Sequence, residues 1–197
     1  MNTSNLSLSE NYFNNVYREN NDPWNFESST YEKDKYIATI QALPNKVYHN
    51  AFEIGCSIGV LSQMFAEKCE KLLAVDVANA PLIKARERLK DIPQVILKKM
   101  TVPNEFPDET FDLVLMSEVG YYLSLPDFKH LQQLITNHLE PNGQVLLIHW
   151  TPFVKDNLLT GDKVHDTWME LCGGGKPFRH LLNRRKDTYR LDLFEKI

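Results

Sequence analysis

Cysteine is scarce: Cys56, Cys69 and Cys172 are the three in 197 residues. An odd number with no CxxC pair and no zinc-like spacing argues against a disulfide framework and fits a reducing cytoplasm. No HxH or HxxxH pair puts two histidines on one element, so no metal is expected. Long apolar runs are missing too. None approaches the ~20 residues needed to cross a bilayer, and residues 1–10 lack the basic start and apolar core of a secretion signal. Basic residues are outnumbered, 22 Lys and Arg against 26 Asp and Glu, for a net charge of -4. The one basic cluster, Arg184, Arg185 and Lys186, runs into Asp187 and reads as a solvated turn. Neither nucleic acid nor a membrane is the expected partner. No internal repeat or low-complexity linker divides the chain, and its length suits a single domain over residues 1–197.

What is present is an alternation of strands and helices. Residues 1–20, rich in Asn and Ser, read as a frayed tail leading into a short helix. Residues 21–44 read as a helical cap: Asp22-Pro23-Trp24 turns the chain, Ser29 or Thr30 can cap a helix, and Pro44 ends it. Strands are predicted at 50–54, 71–77, 94–98, 111–117 and 143–150, with helices at 61–69, 81–89 and 126–139 between them. That order predicts an α/β fold with a mostly parallel, doubly wound sheet. Beyond a helix near 163–171 and the Gly173-Gly174-Gly175 break, residues 189–194 predict an antiparallel C-terminal strand. Residues 178–182 fit its hairpin partner or a short helix equally.

The turn between first strand and first helix is Glu53-Ile54-Gly55-Cys56-Ser57-Ile58-Gly59. Glycines let a backbone approach a ligand, and a helix N-terminus adds unsatisfied N–H groups. Gly-xxx-Gly alone is equally a packing device. Asp76, ending the second strand 21 residues after Gly55, adds an acceptor suited to ribose hydroxyls. A dinucleotide fingerprint needs a middle glycine where Ser57 stands, which disfavours a nicotinamide oxidoreductase. Glu53 suits a cationic methionine amine or the turn's own N–H groups better than a pyrophosphate.

The E-x-G-x-x-x-G form resembles the first motif of class I methyltransferases, whose Rossmann-like fold binds S-adenosyl-L-methionine and releases S-adenosyl-L-homocysteine. By that resemblance Val77 touches adenosine, Met100 and Thr101 flank the adenine, and Ser117 faces the methionine. Further blocks are similar to the nodulation protein S (NodS) family: Asp22-Pro23-Trp24 with Tyr31 to Tyr36, E-I-G-C-S-I-G-V, L-L-A-V-D-V, S-E-V-G-Y-Y-L from Ser117, L-T-G-D-K-V-H from Leu159, and Y-R-L-D-L-F from Tyr189. That resemblance implies N-methylation of the free amine of a deacetylated glucosamine in an oligosaccharide. The alternatives are a methyltransferase for another small amine or hydroxyl, and a cofactor-binding module without catalysis.

An amine acceptor must shed a proton, and open α/β sheets bind ligands past the C-terminal ends of their strands. Glu118 and Tyr122 follow the fourth strand, His149 and Trp150 end the fifth, and Asp162 and His165 come next. Glu118 or His149 is the expected proton acceptor, and Asp162 joins them as a catalytic candidate. Tyr122, Trp150 and His165 are the expected acceptor contacts, with Trp24 as an aromatic lid suited to a sugar or a sulfonium. Each also has a plain structural reading: a backbone hydrogen bond for Glu118, a satisfied strand-end histidine for His149, packing for Tyr122.

Overall fold

The computed structural model describes residues 6–44 and 46–197. They fall into two compact units, residues 9–101 and residues 102–197 joined by 6–8; residues 1–5 of the expected tail lie outside the described residues.

In the unit formed by residues 9–101, α1 (Glu10–Glu19) and α2 (Thr30–Ala42) precede β1 (Ala51–Ile54), α3 (Val60–Phe65), β2 (Leu72–Asp76), α4 (Asn79–Leu89) and β3 (Val95–Lys99). The three strands are parallel, with β2 central. Every side chain of β1 and β2 is buried, the pattern of parallel strands covered on both faces. Helix α2 starts where Ser29 accepts the N–H of Glu32, and Tyr36 on it is a core residue. The short helix expected within residues 1–20 is Glu10–Glu19, which Ser9 caps and whose Tyr17 is buried.

In the other unit, β4 (Phe111–Ser117), α5 (Leu125–His138), β5 (Leu139–Trp150), α6 (Gly161–Met169), β6 (Phe178–Arg185) and β7 (Tyr189–Lys196) follow one another. Strands β4 and β5 are parallel, while β7 lies antiparallel between β5 and β6. The segment 178–182 is therefore strand, and the predicted turn at Arg184 shortens to the residues after Arg185. Trp168 on α6 packs against Phe128, Phe178 and Phe194, each fully buried and each contributing roughly 1.5–3 kcal/mol of burial. The chain is thus α/β, mostly parallel with antiparallel C-terminal strands. Among the described residues no helix is long and apolar enough to cross a membrane.

Candidate functional site

The β1–α3 turn takes its shape from three left-handed residues, Gly55 (φ 80°), Ser57 (φ 50°) and Gly59 (φ 78°). Gly59 is required twice over, since a Cβ there would also come within 3.0 Å of Leu89 and 3.2 Å of Ala85 on α4. The N–H groups of Gly55 and Cys56 donate to the Val75 carbonyl at 2.8 and 2.9 Å, which stitches the turn to the end of β2. Asp76 braces it from the side: its Oδ2 accepts the Ser57 N–H at 3.0 Å and its Oδ1 the Ala78 N–H at 2.9 Å. A carboxylate has about four acceptor positions, so two backbone bonds leave Asp76 capacity for a diol. Burial pushes its carboxyl up to about 6, against the pull of those N–H groups.

Glu53, in β1 two residues before Gly55, is 2 % exposed. Its Oε2 makes no hydrogen bond among the described residues. Burial lifts its carboxyl to about 7, the Ser62 hydroxyl opposing and the Asp76 charge adding to the rise. A buried acceptor without a donor costs free energy, and a ligand ammonium would supply both the donor and the counter-charge. Burial likewise pushes the Cys56 thiol up, with Asp76 and Glu53 adding to it. Val77 is partly buried against the cluster of Tyr17, Ile58 and Ala78. Met100 follows β3 and its N–H donates to the Asp76 carbonyl at 3.0 Å; Thr101 is next to it and half-buried.

Tyr17 is the residue that sequence reasoning missed here. Its hydroxyl lies 2.5 Å from the Ser57 Oγ, and its ring meets Trp24 edge-on at 5.7 Å while Trp24 stacks on Phe26. Trp24 is thus part of an aromatic group around Tyr17. The available signal was the Phe13–Tyr17 pair, spaced i, i+4 behind a serine cap.

Past β4, Ser117 is half-buried and Glu118 takes a left-handed φ of 59°. Its Oε2 accepts the Tyr121 hydroxyl at 2.5 Å and the Trp150 N–H at 2.9 Å, joining the ends of β4 and β5. Tyr122 and Trp150 stay half-buried. Three expectations change. His149 is fully buried, its Nε2 accepting the Gly120 N–H at 3.0 Å and its Nδ1 facing His165 Nε2 at 3.1 Å, so its ring is engaged on both sides and is no base for an acceptor. His165 is also fully buried, with Nδ1 on Asp192 Oδ2 at 2.6 Å, which removes it from the acceptor contacts; burial pushes its pKa down, against the pull of Asp192. Asp162 sits in the first turn of α6 and pairs with both Arg185 amines, at 2.5 and 2.8 Å. The Arg185 guanidinium holds its carboxyl below the usual range, the opposite of what a proton acceptor needs. Arg190 and Asp192, which with His180 complete this network, lie in the Y-R-L-D-L-F block, but the sequence assigned none of the three a role because β6, β7 and α6 meet only in the fold.

A family model described as Nodulation protein S (NodS) matches residues 14–148. The Nodulation protein S of Sinorhizobium fredii is 27 % identical over 129 residues, 64 % of this chain and 59 % of that protein, so the match spans less than two thirds of that curated relative. A candidate methyltransferase of known structure from Pseudomonas syringae is 32 % identical, with a TM-score of 0.72, covering 85 % of this chain and 100 % of that one. The N-methyltransferase NodS of Bradyrhizobium japonicum in complex with S-adenosyl-L-homocysteine superposes with a TM-score of 0.82 at 18 % identity, covering 96 % of this chain and 99 % of that one. At that identity the last likeness speaks for the fold, which is the Rossmann-like methyltransferase fold.

Proposed function

The chain belongs to the Nodulation protein S (NodS) family, and from that membership and the site we propose that it is an S-adenosylmethionine-dependent methyltransferase acting on an amine, the free amine of a deacetylated glucosamine in an oligosaccharide. The observation that carries the cofactor assignment is the buried Oε2 of Glu53, an acceptor with no donor among the described residues, beside a turn braced by Asp76. An ammonium next to Glu53 and a ribose diol next to Asp76 match the two polar ends of this cofactor.

When bound, S-adenosylmethionine would supply an activated methyl on its sulfonium sulfur, and S-adenosylhomocysteine would be the leaving product. The chain's own contribution is orientation, and alignment of this kind supplies about 7–11 kcal/mol of barrier reduction in well-oriented systems. Glu53 would hold the amine end of the cofactor, Asp76 the ribose and Val77 the adenosine, with Met100 and Thr101 flanking the adenine. Ser117 is assigned to the methionine. We assign to Glu118 the proton that the amine sheds, directly or through water, and to Tyr122 and Trp150 the contacts to the acceptor. Trp24 covers the aromatic edge near Tyr17. We propose the cytoplasm as the protein's compartment.

The test is calorimetric titration with S-adenosylhomocysteine and, separately, NADH, followed by methyl transfer to a partly deacetylated chitooligosaccharide. Homocysteine binding with methyl incorporation is expected. Binding without incorporation would send the search to other amines and hydroxyls, and NADH binding alone would overturn the cofactor assignment. In the same titration Asp76→Ala is expected to abolish binding and to cost about 2 kcal/mol of stability, because two turn N–H groups lose their acceptor. Wild-type affinity in that variant would remove Asp76 from the ribose site.

A further inference from the structure

The imidazoles of His149 and His165 form a one-way chain of hydrogen bonds whose polarity is set at both ends. At one end the Gly120 N–H can only donate, so His149 Nε2 is the bare nitrogen and its proton sits on Nδ1. That Nδ1–H points at His165 Nε2, 3.1 Å away, which places the second proton on His165 Nδ1, 2.6 Å from Asp192 Oδ2. At the far end Asp192 can only accept. Its Oδ2 also takes the Arg190 Nε–H at 2.7 Å, and its Oδ1 faces His180 Nε2 at 2.7 Å and Asn183 Nδ2 at 2.8 Å. His149, His165 and Asp192 are all fully buried. Burial raises the Asp192 carboxyl, but the bonds from His165 and Asn183 and the Arg190 charge outweigh it and hold it well below the usual range. Both tautomers are thus determined by groups that cannot exchange roles.

The element at the donating end is the loop after β4. Glu118 there takes the Trp150 N–H and the Tyr121 hydroxyl. The Tyr121 carbonyl accepts the N–H groups of Leu158 and Leu159 at 2.9 and 3.1 Å from the β5–α6 loop, and the Tyr121 ring lies edge-on to His149 at 5.4 Å. Gly120 sits between Glu118 and Tyr122, the two residues assigned above to the acceptor.

We propose that His149 is a positioning residue: the Asp192–His165–His149 chain fixes the Gly120 main chain and thereby aims Glu118 and Tyr122 at the acceptor, with no proton passing through it to the amine. The proposal rests on the methyltransferase reading for what the loop is aimed at, and on geometry alone for the chain itself.

Two variants separate positioning from proton transfer. A glutamine amide can accept from Gly120 with its oxygen and donate to His165 with its nitrogen, but cannot act as a base. His149→Phe is expected to lower kcat at least tenfold while leaving S-adenosylhomocysteine affinity within about twofold and exposing the Gly120 amide to hydrogen exchange. His149→Gln is expected to restore both kcat, to within about threefold, and Gly120 protection. A glutamine variant as inactive as the phenylalanine one, with Gly120 protected, would overturn the proposal in favour of proton transfer; full activity in His149→Phe would overturn it as well. Long-range ¹H–¹⁵N spectra of the unsubstituted protein supply a readout that needs no acceptor: both histidines should carry the proton on Nδ1, and a protonated Nε2 on His149 sinks the chain. Should the protein transfer no methyl to any acceptor, the function proposed above fails while the spectra still decide the hydrogen-bond chain. Should His149→Phe fail to fold, the spectra and Gly120 exchange in His149→Gln decide it.

Discussion

Glu53→Gln is expected to raise the stability of the ligand-free protein above pH 7 and to weaken S-adenosylhomocysteine binding more than tenfold. Both effects come from one buried carboxyl. In the folded chain burial lifts it from 4.5 to about 7, so between those values the native state holds a proton that the unfolded state has released. Stability contributed by the protonated form is therefore complete below about pH 4.5 and is lost as pH rises through 7. At about 1.4 kcal/mol per unit, the loss is roughly 3 kcal/mol. A glutamine stays neutral throughout and avoids it, while Asp76, lifted from 3.8 to about 6, retains its smaller share in the same direction. Ligand binding has the opposite requirement, since an ammonium needs the carboxylate. Below pH 7 binding must expel the Glu53 proton, and affinity should fall about tenfold per pH unit. Urea melts at pH 5 and pH 8, with calorimetry in two buffers of different ionisation heat, measure both. Equal stability of the variant and parent at pH 8, or an unchanged affinity and no proton release at pH 6, would remove Glu53 from this role.

Gly161→Ala is expected to be the most damaging small substitution in the chain. Gly161 opens α6, and a Cβ there would lie 2.1 Å from the Trp150 carbonyl oxygen and 3.3 Å from His149 Cβ. The first of these is backbone in β5, where Trp150 pairs with Tyr189 of β7, so relief requires moving the helix. Displacing α6 shifts His165 and Trp168 with it, both fully buried. A loss of about 3 kcal/mol follows from overpacking of this kind, or roughly 6–12 °C in Tm for a chain of this size. Gly174→Ala is the control. Nothing lies within 4 Å of its Cβ, and its effect should stay within about 0.5 kcal/mol. Thermal unfolding of the two variants side by side decides the matter, and equal Tm values would show that the α6–β5 contact relaxes without cost.

The shape of the β1–α3 turn was legible because its determinants are local. Gly55, Ser57 and Gly59 are close in sequence, and Asp76 is one strand and one helix further on, a spacing that the right-handed crossover of a βαβ unit converts into proximity. The alternation of apolar runs with amphipathic segments likewise predicted β1 to β5 within a few residues, and helix α6 began two residues early because Thr160, not a later residue, caps it.

The sequence by itself therefore determined the fold class, the family and the residues around the turn. Only the tertiary structure decided which polar groups spend their hydrogen bonds on the protein itself. His149 at the end of an apolar strand has the same local pattern whether it faces an acceptor or a neighbour. Its partners are Gly120 of the loop after β4 and His165 of α6, which Asp192 of β7 holds from 27 residues beyond it, and these contacts spend its hydrogen-bonding capacity on the protein. Asp162 was taken out of contention by Arg185, 23 residues away, and Tyr17 was brought to Ser57 across 40 residues. Hydrogen bonds of that range depend on how helices and strands pack, which residue spacing along a chain does not encode.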